Sequence, residues 1–258
     1  MNLITLTTDL GLKDYYVAVL KGELIKAITD VSIVDITHNV HPFSYSQAAY
    51  MLANSYYHFP NGTIHLVGVD TNRFKGMKHL VIQHNEHTFI GPDNGLFALM
   101  FEKKLPNRIF YLKNAEASGA FPIAGLYVRA AAALCVGKTL EEIAEPISTI
   151  TLASSFRPIT NQNYIKGHVL FVDRFENVIL NILEEEFEKI RQNRKFIVTF
   201  KRNDDIAKLE TDYSSIQKDG DISCIVNSAG YIELFMKHGG MASLCGLRIG
   251  DEVRIEFK

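Results

Sequence analysis

Hydrophobic and polar positions alternate in two different rhythms along this chain, and the switches between them mark out its elements. Leu3 to Thr8 interleaves apolar residues with β-branched threonines and reads as a strand. From Asp14 to Ile28 the apolar positions Val17, Leu20, Leu24 and Ile28 recur at helical spacing. Val31 to Thr37 predicts a second strand, Ser44 to Tyr57 a helix with Ser44 at its cap, and Thr63 to Val69 a third strand. Leu80 to Gln83 and Thr88 to Ile90 flank a short polar stretch as a hairpin would. Gly91-Pro92-Asp93-Asn94-Gly95 then predicts a turn into an apolar helix. Ile109 to Leu112 reads as a further strand, followed by an Ala-rich helix around Arg129 to Ala133.

Strands and helices in that order predict an N-terminal α/β domain with a mainly parallel sheet over residues 1–150. The pattern then weakens. Ser, Thr, Asn and Pro dominate from Ser148 to Gln162, and residues 151–163 are expected to form a linker. Residues 164–258 are mostly strand-like, at Ile165 to Val172, Val178 to Ile182, Phe196 to Phe200, Ile222 to Val226, Tyr231 to Met236 and Glu252 to Phe257. A helical insertion falls around Glu184 to Arg191, so this half is expected to be a small antiparallel β-barrel-like domain.

Composition narrows the function classes. An apolar share of 47% with 22% charged residues is that of a soluble globular protein. The net charge of −2 and the scattered basic residues give no electrostatic footprint for nucleic acid. Three cysteines without a CxxC signal neither a disulfide framework nor a structural zinc site, so the reducing cytoplasm is the expected setting. The N-terminus has no basic segment ahead of an apolar run, and Ile123 to Val136 is too short for a membrane span and contains Arg129. No membrane association is expected.

Ligands of parallel sheets collect beyond the carboxyl ends of the strands, which directs attention to Asp9, Asp35 and Asp70. Each is either a cap or turn residue, or part of a polar crevice. Magnesium-dependent phosphoryl chemistry is one use for three such acids, although Asp9-Leu10-Gly11 does not offer paired ligands. Neither GxGxxG, GxxxxGK[ST] nor GxSxG is present. The histidines have plainer readings. His38 and His41 lie in a loop, His84 and His87 flank a hairpin tip where solvated histidines are common, and His168 and His238 read as structural. In the second half, Asp173, Phe175 and Asn177 would share one face if the chain stays extended from Val169 to Asn177, leaving Arg174 and Glu176 on an outer face, solvated or salt-bridged. An acid, a ring and an amide together suit a small-molecule cradle; an edge turn is the alternative.

Taken together, several segments resemble the S-adenosylmethionine hydroxide adenosyltransferase family, whose relatives include S-adenosylmethionine-dependent fluorinases and chlorinases. The similarity runs through Ile4-Thr5-Leu6-Thr7-Thr8-Asp9-Leu10-Gly11, Asp14 to Gly22, Ile33-Val34-Asp35-Ile36-Thr37-His38 and Phe59 to His65. It continues in Gly91-Pro92-Asp93-Asn94-Gly95-Leu96, Val172 to Asn177 and Asn227-Ser228-Ala229-Gly230-Tyr231-Ile232-Glu233, and covers nearly the whole chain. The resemblance implies an α/β domain followed by a β domain, and a homotrimer with S-adenosylmethionine, as substrate rather than cofactor, bound between subunits. By position, Asp9 would hold the ribose hydroxyls and Phe43 would lie near the ligand. Phe175 would pack on adenine, Asn177 would read its polar edge, Asp173 would pair with the methionine ammonium and Ser228 would meet the methionine carboxylate. The implied reaction is substitution at ribose C5′ with methionine leaving, giving adenosine when water attacks.

The resemblance breaks at the residues that activate water. Family hydrolases carry a Pro-Gly-Val-Gly-like loop with a terminal Arg after the strand-end acid, and a His in a Phe-His-Gly-Arg-Asp-like segment. This chain reads Asp70-Thr71-Asn72-Arg73-Phe74-Lys75-Gly76, keeping the acid but placing Arg73 early, and has Pro122 where the His would fall. Proline offers neither a titratable group nor a backbone donor. Asp70 and Arg73 are therefore the expected catalytic residues. A binding protein without turnover and a halide-dependent transferase are the alternatives.

Overall fold

Strand β1 (Asn2–Thr8) explains its own alternation, because Ile4 and Leu6 are fully buried and Thr5, Thr7 and Thr8 are too. A strand covered on both faces takes β-branched threonines on one of them without needing water there. The computed structural model describes residues 2–71, 75–101, 105–113, 121–153, 157–200 and 206–258. The chain folds as two compact units, Met1–Ser155 and Phe156–Lys258.

In the first unit β1 leads through helix α1 (Tyr16–Ala27) to β2 (Val31–Thr37), then through α2 (Tyr45–Ala53) to β3 (Ile64–Gly68). The hairpin β4 (His79–His84) and β5 (His87–Pro92) follows, then α3 (Leu96–Met100) and β6 (Arg108–Leu112). A π-helical segment, Ile123–Tyr127, runs into α4 (Val128–Cys135), and α5 (Leu140–Ile143) precedes β7 (Ala144–Pro146). The sheet order is β2-β1-β3-β5-β4-β6-β7. β2, β1, β3 and β5 are parallel, whereas β4 pairs antiparallel with β5 and β6, and β6 with β7. The sheet is thus mixed, and the cause is local. Asn85 and Glu86 both take positive φ, 46° and 62°, which makes the tight turn that returns β5 alongside β4.

Leu20, Leu24 and Ile28 of α1 cover one face of this sheet together with Tyr127, Val128 and Ala131. Ala48, Ala49 and Leu52 of α2 cover the other, over Leu80, Ile82 and Phe89. Full burial of a side chain the size of Leu contributes roughly 1.5–3 kcal/mol, so both layers are well anchored. α2 ends earlier than its apolar pattern suggests. Asn54 Nδ2 and Ser55 Oγ donate to the carbonyls of Tyr50 and Met51, diverting the chain into a short 3₁₀ turn, Tyr56–His58. Ser44 occupies the N-cap position of α2, but its side chain makes no capping bond.

The second unit is an eight-stranded sheet with the order β11 (Phe196–Thr199), β15 (Glu252–Phe257), β9 (Tyr164–Val172), β10 (Val178–Leu183), β14 (Tyr231–Met236), β13 (Ile222–Val226) and β12 (Leu209–Glu210). β8 (Ile159–Thr160) pairs with β9. Every pairing is antiparallel except β12 with β13. α6 (Glu184–Arg191) buries Phe187 against Phe196 and Phe257, with ring centroids 5.2 and 5.7 Å apart, and α7 (Met241–Cys245) adds Met241, Ala242 and Cys245 to the same core. Among the described residues no helix is long and apolar enough to cross a membrane.

Candidate active site

Parallel pairing of β1 and β3 carries Asp9 and Asp70 to the same edge of the first unit's sheet. Thr8 lies opposite Gly68, and the Asp9 backbone N–H donates to the Gly68 carbonyl at 3.4 Å. One carboxylate oxygen of Asp9, Oδ2, accepts from the backbone N–H groups of Phe43 at 3.0 Å and Asp70 at 3.2 Å. Both donors have left-handed backbones, with φ of 67° at Phe43 and 50° at Asp70. An aspartate tolerates that region, but for a bulky aromatic it is a real outlier, and such strain gathers at functional sites. The Phe43 side chain is also 70% exposed, so burial is not what holds it there. The Asp9 loop is fixed further by Gly11 N–H donating to the His38 carbonyl and Val40 N–H to the Thr8 carbonyl. Oδ1 of Asp9 has no hydrogen-bond partner among the described residues.

Asp35, expected beyond a strand end, lies instead inside β2, paired with Leu6, and does not join them. Its carboxylate meets Lys21 Nζ at 2.6 Å and approaches His38 Nε2 to 3.1 Å, an ion-pair approach rather than an aligned hydrogen bond. Burial pushes the Asp35 carboxyl upward, but Lys21 and His38 outweigh it and hold it below the usual carboxylate range. Among the described residues no three His, Cys, Asp or Glu side chains gather into a metal-binding group.

Of the histidine readings, His38 does lie in a loop, while the solvated reading at the hairpin changes. His38 is buried, with Nδ1 2.7 Å from Thr8 Oγ1, next to Asp9. His87 at the hairpin is buried too, because its ring packs on His65 rather than on water, with Nδ1 3.1 Å from His65 Nε2. His65 in turn meets Thr5 Oγ1 at 2.6 Å. Burial, helped by the neighbouring His87, pushes the His65 imidazole down to about 3.

In the second unit the chain does not stay extended through the acid, ring and amide. β9 stops at Val172 and residues 173–177 form the turn into β10, with Glu176 at φ 62°. Asp173 builds that turn. Its Oδ1 accepts from the N–H groups of Phe175 and Asn177, at 2.9 and 2.8 Å, and its Oδ2 from Asn177 Nδ2 at 3.0 Å. Asn177 is buried while Phe175 is 76% exposed, so the three do not present one strand face. Glu176 is half-buried, and its carboxylate accepts from Ser243 N–H in the first turn of α7. Ser228 sits exposed in the turn between β13 and β14. Asn227 shapes that turn by accepting from Ala229 and Tyr231 N–H, and its Nδ2 donates to the buried Glu233, which also takes the Tyr213 hydroxyl at 2.7 Å. Burial raises the Glu233 carboxyl, against the pull of these two donors.

Residues 4–144 match the model of the SAM hydroxide adenosyltransferase N-terminal domain and residues 167–254 that of the C-terminal domain. The chain belongs to the SAM hydroxide adenosyltransferase family. Among its family relatives, the (R)-S-adenosyl-L-methionine hydrolase of Methanocaldococcus jannaschii is 26% identical over all of this chain and 97% of that protein. The Thermus thermophilus protein of the same name is 27% identical, over 99% and 100%. A fluorinase from Actinopolyspora mzabensis is 21% identical over 98% and 96%. An uncharacterized conserved protein from Thermotoga maritima, solved by crystallography, superposes with a TM-score of 0.88 at 28% identity, covering 98% of this chain and 99% of that one.

Pro122 and its neighbours are packed closely. Pro122, with φ −56°, opens the π-helical segment, and Ile123 of that segment packs so closely over Gly68 that a Cβ on Gly68 would overlap its Cδ1. Tyr127 at the end of the segment is fully buried, its hydroxyl 2.8 Å from His79 Nδ1 at the start of β4. Arg73 lies outside the described residues. Asn94, which donates to the Val69 carbonyl, and Glu233, which accepts from Asn227, were not singled out in the sequence; a polar side chain within an otherwise apolar or turn segment was the signal available.

Proposed function

We propose that this protein hydrolyses S-adenosylmethionine at ribose C5′, releasing adenosine and methionine. The observation that carries the reading is the end-to-end match to relatives named as hydrolases, which covers both units and includes every proposed ligand residue. The chemistry is undemanding of acid catalysis, since a sulfonium leaves as a neutral thioether. What the protein must supply is an aligned, partly desolvated water behind C5′. Asp70 orients that water, with Arg73 as its basic neighbour in the sequence. Asp9 gives its remaining oxygen to a ribose hydroxyl. Phe43 and Phe175, both exposed rings, stack on the ligand, and Asn177 keeps its carbonyl oxygen and one N–H for adenine. Asp173 receives the ammonium through the unused capacity of Oδ2, and Ser228 meets the methionine carboxylate.

The same reading includes a homotrimer with sites between subunits and a cytoplasmic setting. In its support, the first unit exposes Tyr15, Tyr16 and Val19 around α1 and Val34 on the edge strand β2, an apolar surface of the kind that subunits cover. Light scattering giving a trimer mass would support it and a monomer mass would refute it.

Pro122 favours one second reading, a protein that binds S-adenosylmethionine without turning it over. One experiment separates them. Pure protein incubated with S-adenosylmethionine and chromatographed should yield adenosine and methionine in equal amounts, above the spontaneous rate and formed much more slowly, though still measurably, by Asp70→Asn. A raised melting temperature with no adenosine would establish the binding reading, and a 5′-halogenated nucleoside formed only with halide would establish a transferase.

A further inference from the structure

The peptide unit joining Val69 to Asp70 is held at both ends. Its N–H donates to Asp9 Oδ2 at 3.2 Å, and its carbonyl, that of Val69, accepts from Asn94 Nδ2 at 3.0 Å. Asn94 comes from the Asp93-Asn94-Gly95 turn after β5, the parallel neighbour of β3, and its side chain is 3% exposed. The amide cannot present its other end to Val69, because Oδ1 already accepts from Leu96 N–H at 3.1 Å. The turn itself is anchored: Asp93 Oδ1 accepts from Thr151 N–H at 2.7 Å and Oδ2 from the Tyr111 hydroxyl at 2.9 Å. Gly95, at φ 98°, lies where an added Cβ would come within 2.6 Å of Ala153 Cβ, so the turn is packed as well as bonded.

A peptide plane is rigid, so holding its carbonyl and its N–H on opposite sides fixes its rotation between the two flanking Cα atoms. That matters here because Asp70 has φ 50°. A left-handed backbone is unfavourable for a residue with a Cβ, and the simplest relaxation is a flip of the preceding peptide, which returns φ to the extended region. The flip would exchange the directions of the carbonyl and the N–H, breaking both anchors at once. With both anchors gone, the Asp70 Cα and the side chain it carries would no longer be held against Asp9 and the Asn94 turn.

We propose that Asn94 is a positioning residue for the reaction: it locks the Val69–Asp70 peptide against flipping and thereby aims the Asp70 carboxylate at the attacking water. Asp9 shares the task from the other side of the plane while it binds ribose. This inference rests on the hydrolase reading for its catalytic consequence, but the lock is a property of the fold.

Two variants of the full chain test it. Asn94→Ser keeps an acceptor for Leu96 N–H, as a serine turn does, and withdraws the donor from Val69; Asn94→Asp puts an oxygen against the Val69 carbonyl. A displacement of about 1 Å at a reacting group costs roughly 100-fold in rate, so kcat for adenosine formation should fall by about that factor with KM little changed. In an Asp70→Asn background the same substitution should have almost no further effect on kcat, which a general loss of stability would not produce. A crystal structure of Asn94→Ser should show the Val69–Asp70 peptide flipped and Asp70 at negative φ. Equal kcat losses in both backgrounds, or a raised KM at unchanged kcat, would overturn the proposal, and so would an Asp70 backbone left in the left-handed region. Should the wild-type protein form no adenosine, the hydrolase reading fails on its own, and the crystal structure alone decides the lock.

Discussion

Asp9 Oδ2 accepts the backbone N–H of Phe43 at 3.0 Å while accepting that of Asp70, so a single oxygen holds two residues whose backbones would otherwise relax. The carboxylate therefore has two separable duties, one to the fold and one to a ligand. Asp9→Asn retains an amide oxygen that can accept both N–H groups, whereas Asp9→Ala leaves them unpaired. Asp9→Ala should lose about 1–3 kcal/mol of stability, and Asp9→Asn less. Both should weaken S-adenosylmethionine binding, because both remove the charged oxygen proposed for ribose. Thermal unfolding and calorimetric titration of the two variants check this; equal melting temperatures for Asn and Ala would show that the backbone bonds contribute nothing.

Phe43 offers the opposite balance. Its ring is exposed and its φ is 67°, so the fold gains little from the side chain and bears its strain. Phe43→Gly adopts that backbone freely but adds freedom to the unfolded chain, and the two effects nearly offset, leaving stability unchanged or raised by up to about 1 kcal/mol. Affinity for S-adenosylmethionine should fall by about 0.5–1.5 kcal/mol if the ring stacks on the ligand. A glycine variant that binds as tightly as the parent would remove Phe43 from the site.

How far the sequence could be read follows from what each residue's neighbours are. β1, β2 and β3 were legible because both their period and their flanking helices are local signals, and Asp9 and Asp70 were legible because strand ends locate them. The mixed character of the sheet was hidden because pairing β5 rather than β4 with β3 is a long-range choice. The Asp173 to Asn177 segment misled for a different reason. Alternation implies a shared face only in an extended chain, and Asp173, by accepting two backbone N–H groups, ends the extension itself. Asn94 was invisible as a site residue because its partner, the Val69 carbonyl, is backbone and has no sequence signature.

Two buried histidines make the first unit sensitive to acid. Burial, aided by His87, lowers the His65 imidazole to about 3, and burial lowers His79 to about 4. The groups packed around His65 are the Thr5 hydroxyl and the rings of Tyr56, Phe59, His87 and Phe89, none of them an acid that would favour its charge. Below pH 6.5 the unfolded chain takes up protons at these positions that the folded chain refuses until about 3 and 4. Stability is therefore complete above pH 6.5 and declines as pH falls, by up to about 1.4 kcal/mol per pH unit for each histidine. Denaturant unfolding between pH 7 and 4 should show this slope, and His65→Gln should flatten it while costing stability at neutral pH. An unchanged slope in His65→Gln would place the acid sensitivity elsewhere.

Asp173 is proposed to pair with an ammonium, yet both its oxygens already serve the turn between β9 and β10. Asp173→Asn distinguishes the two roles. The amide oxygen, placed where Oδ1 stands, still accepts from Phe175 and Asn177 N–H, so the turn persists. The amide nitrogen then opposes Asn177 Nδ2, and the negative charge is gone. If the charge pairs with the methionine ammonium, S-adenosylmethionine should bind about 2–3 kcal/mol more weakly while adenosine, which lacks that group, binds nearly as before. If Asp173 only builds the turn that carries Phe175 and Asn177, disturbing its Oδ2 bond should weaken both ligands alike. Titrating the variant with each ligand reads the difference directly, and the expected outcome is selective loss of S-adenosylmethionine. Parallel loss of adenosine would leave Asp173 as the architect of the adenine side alone, with the ammonium held elsewhere.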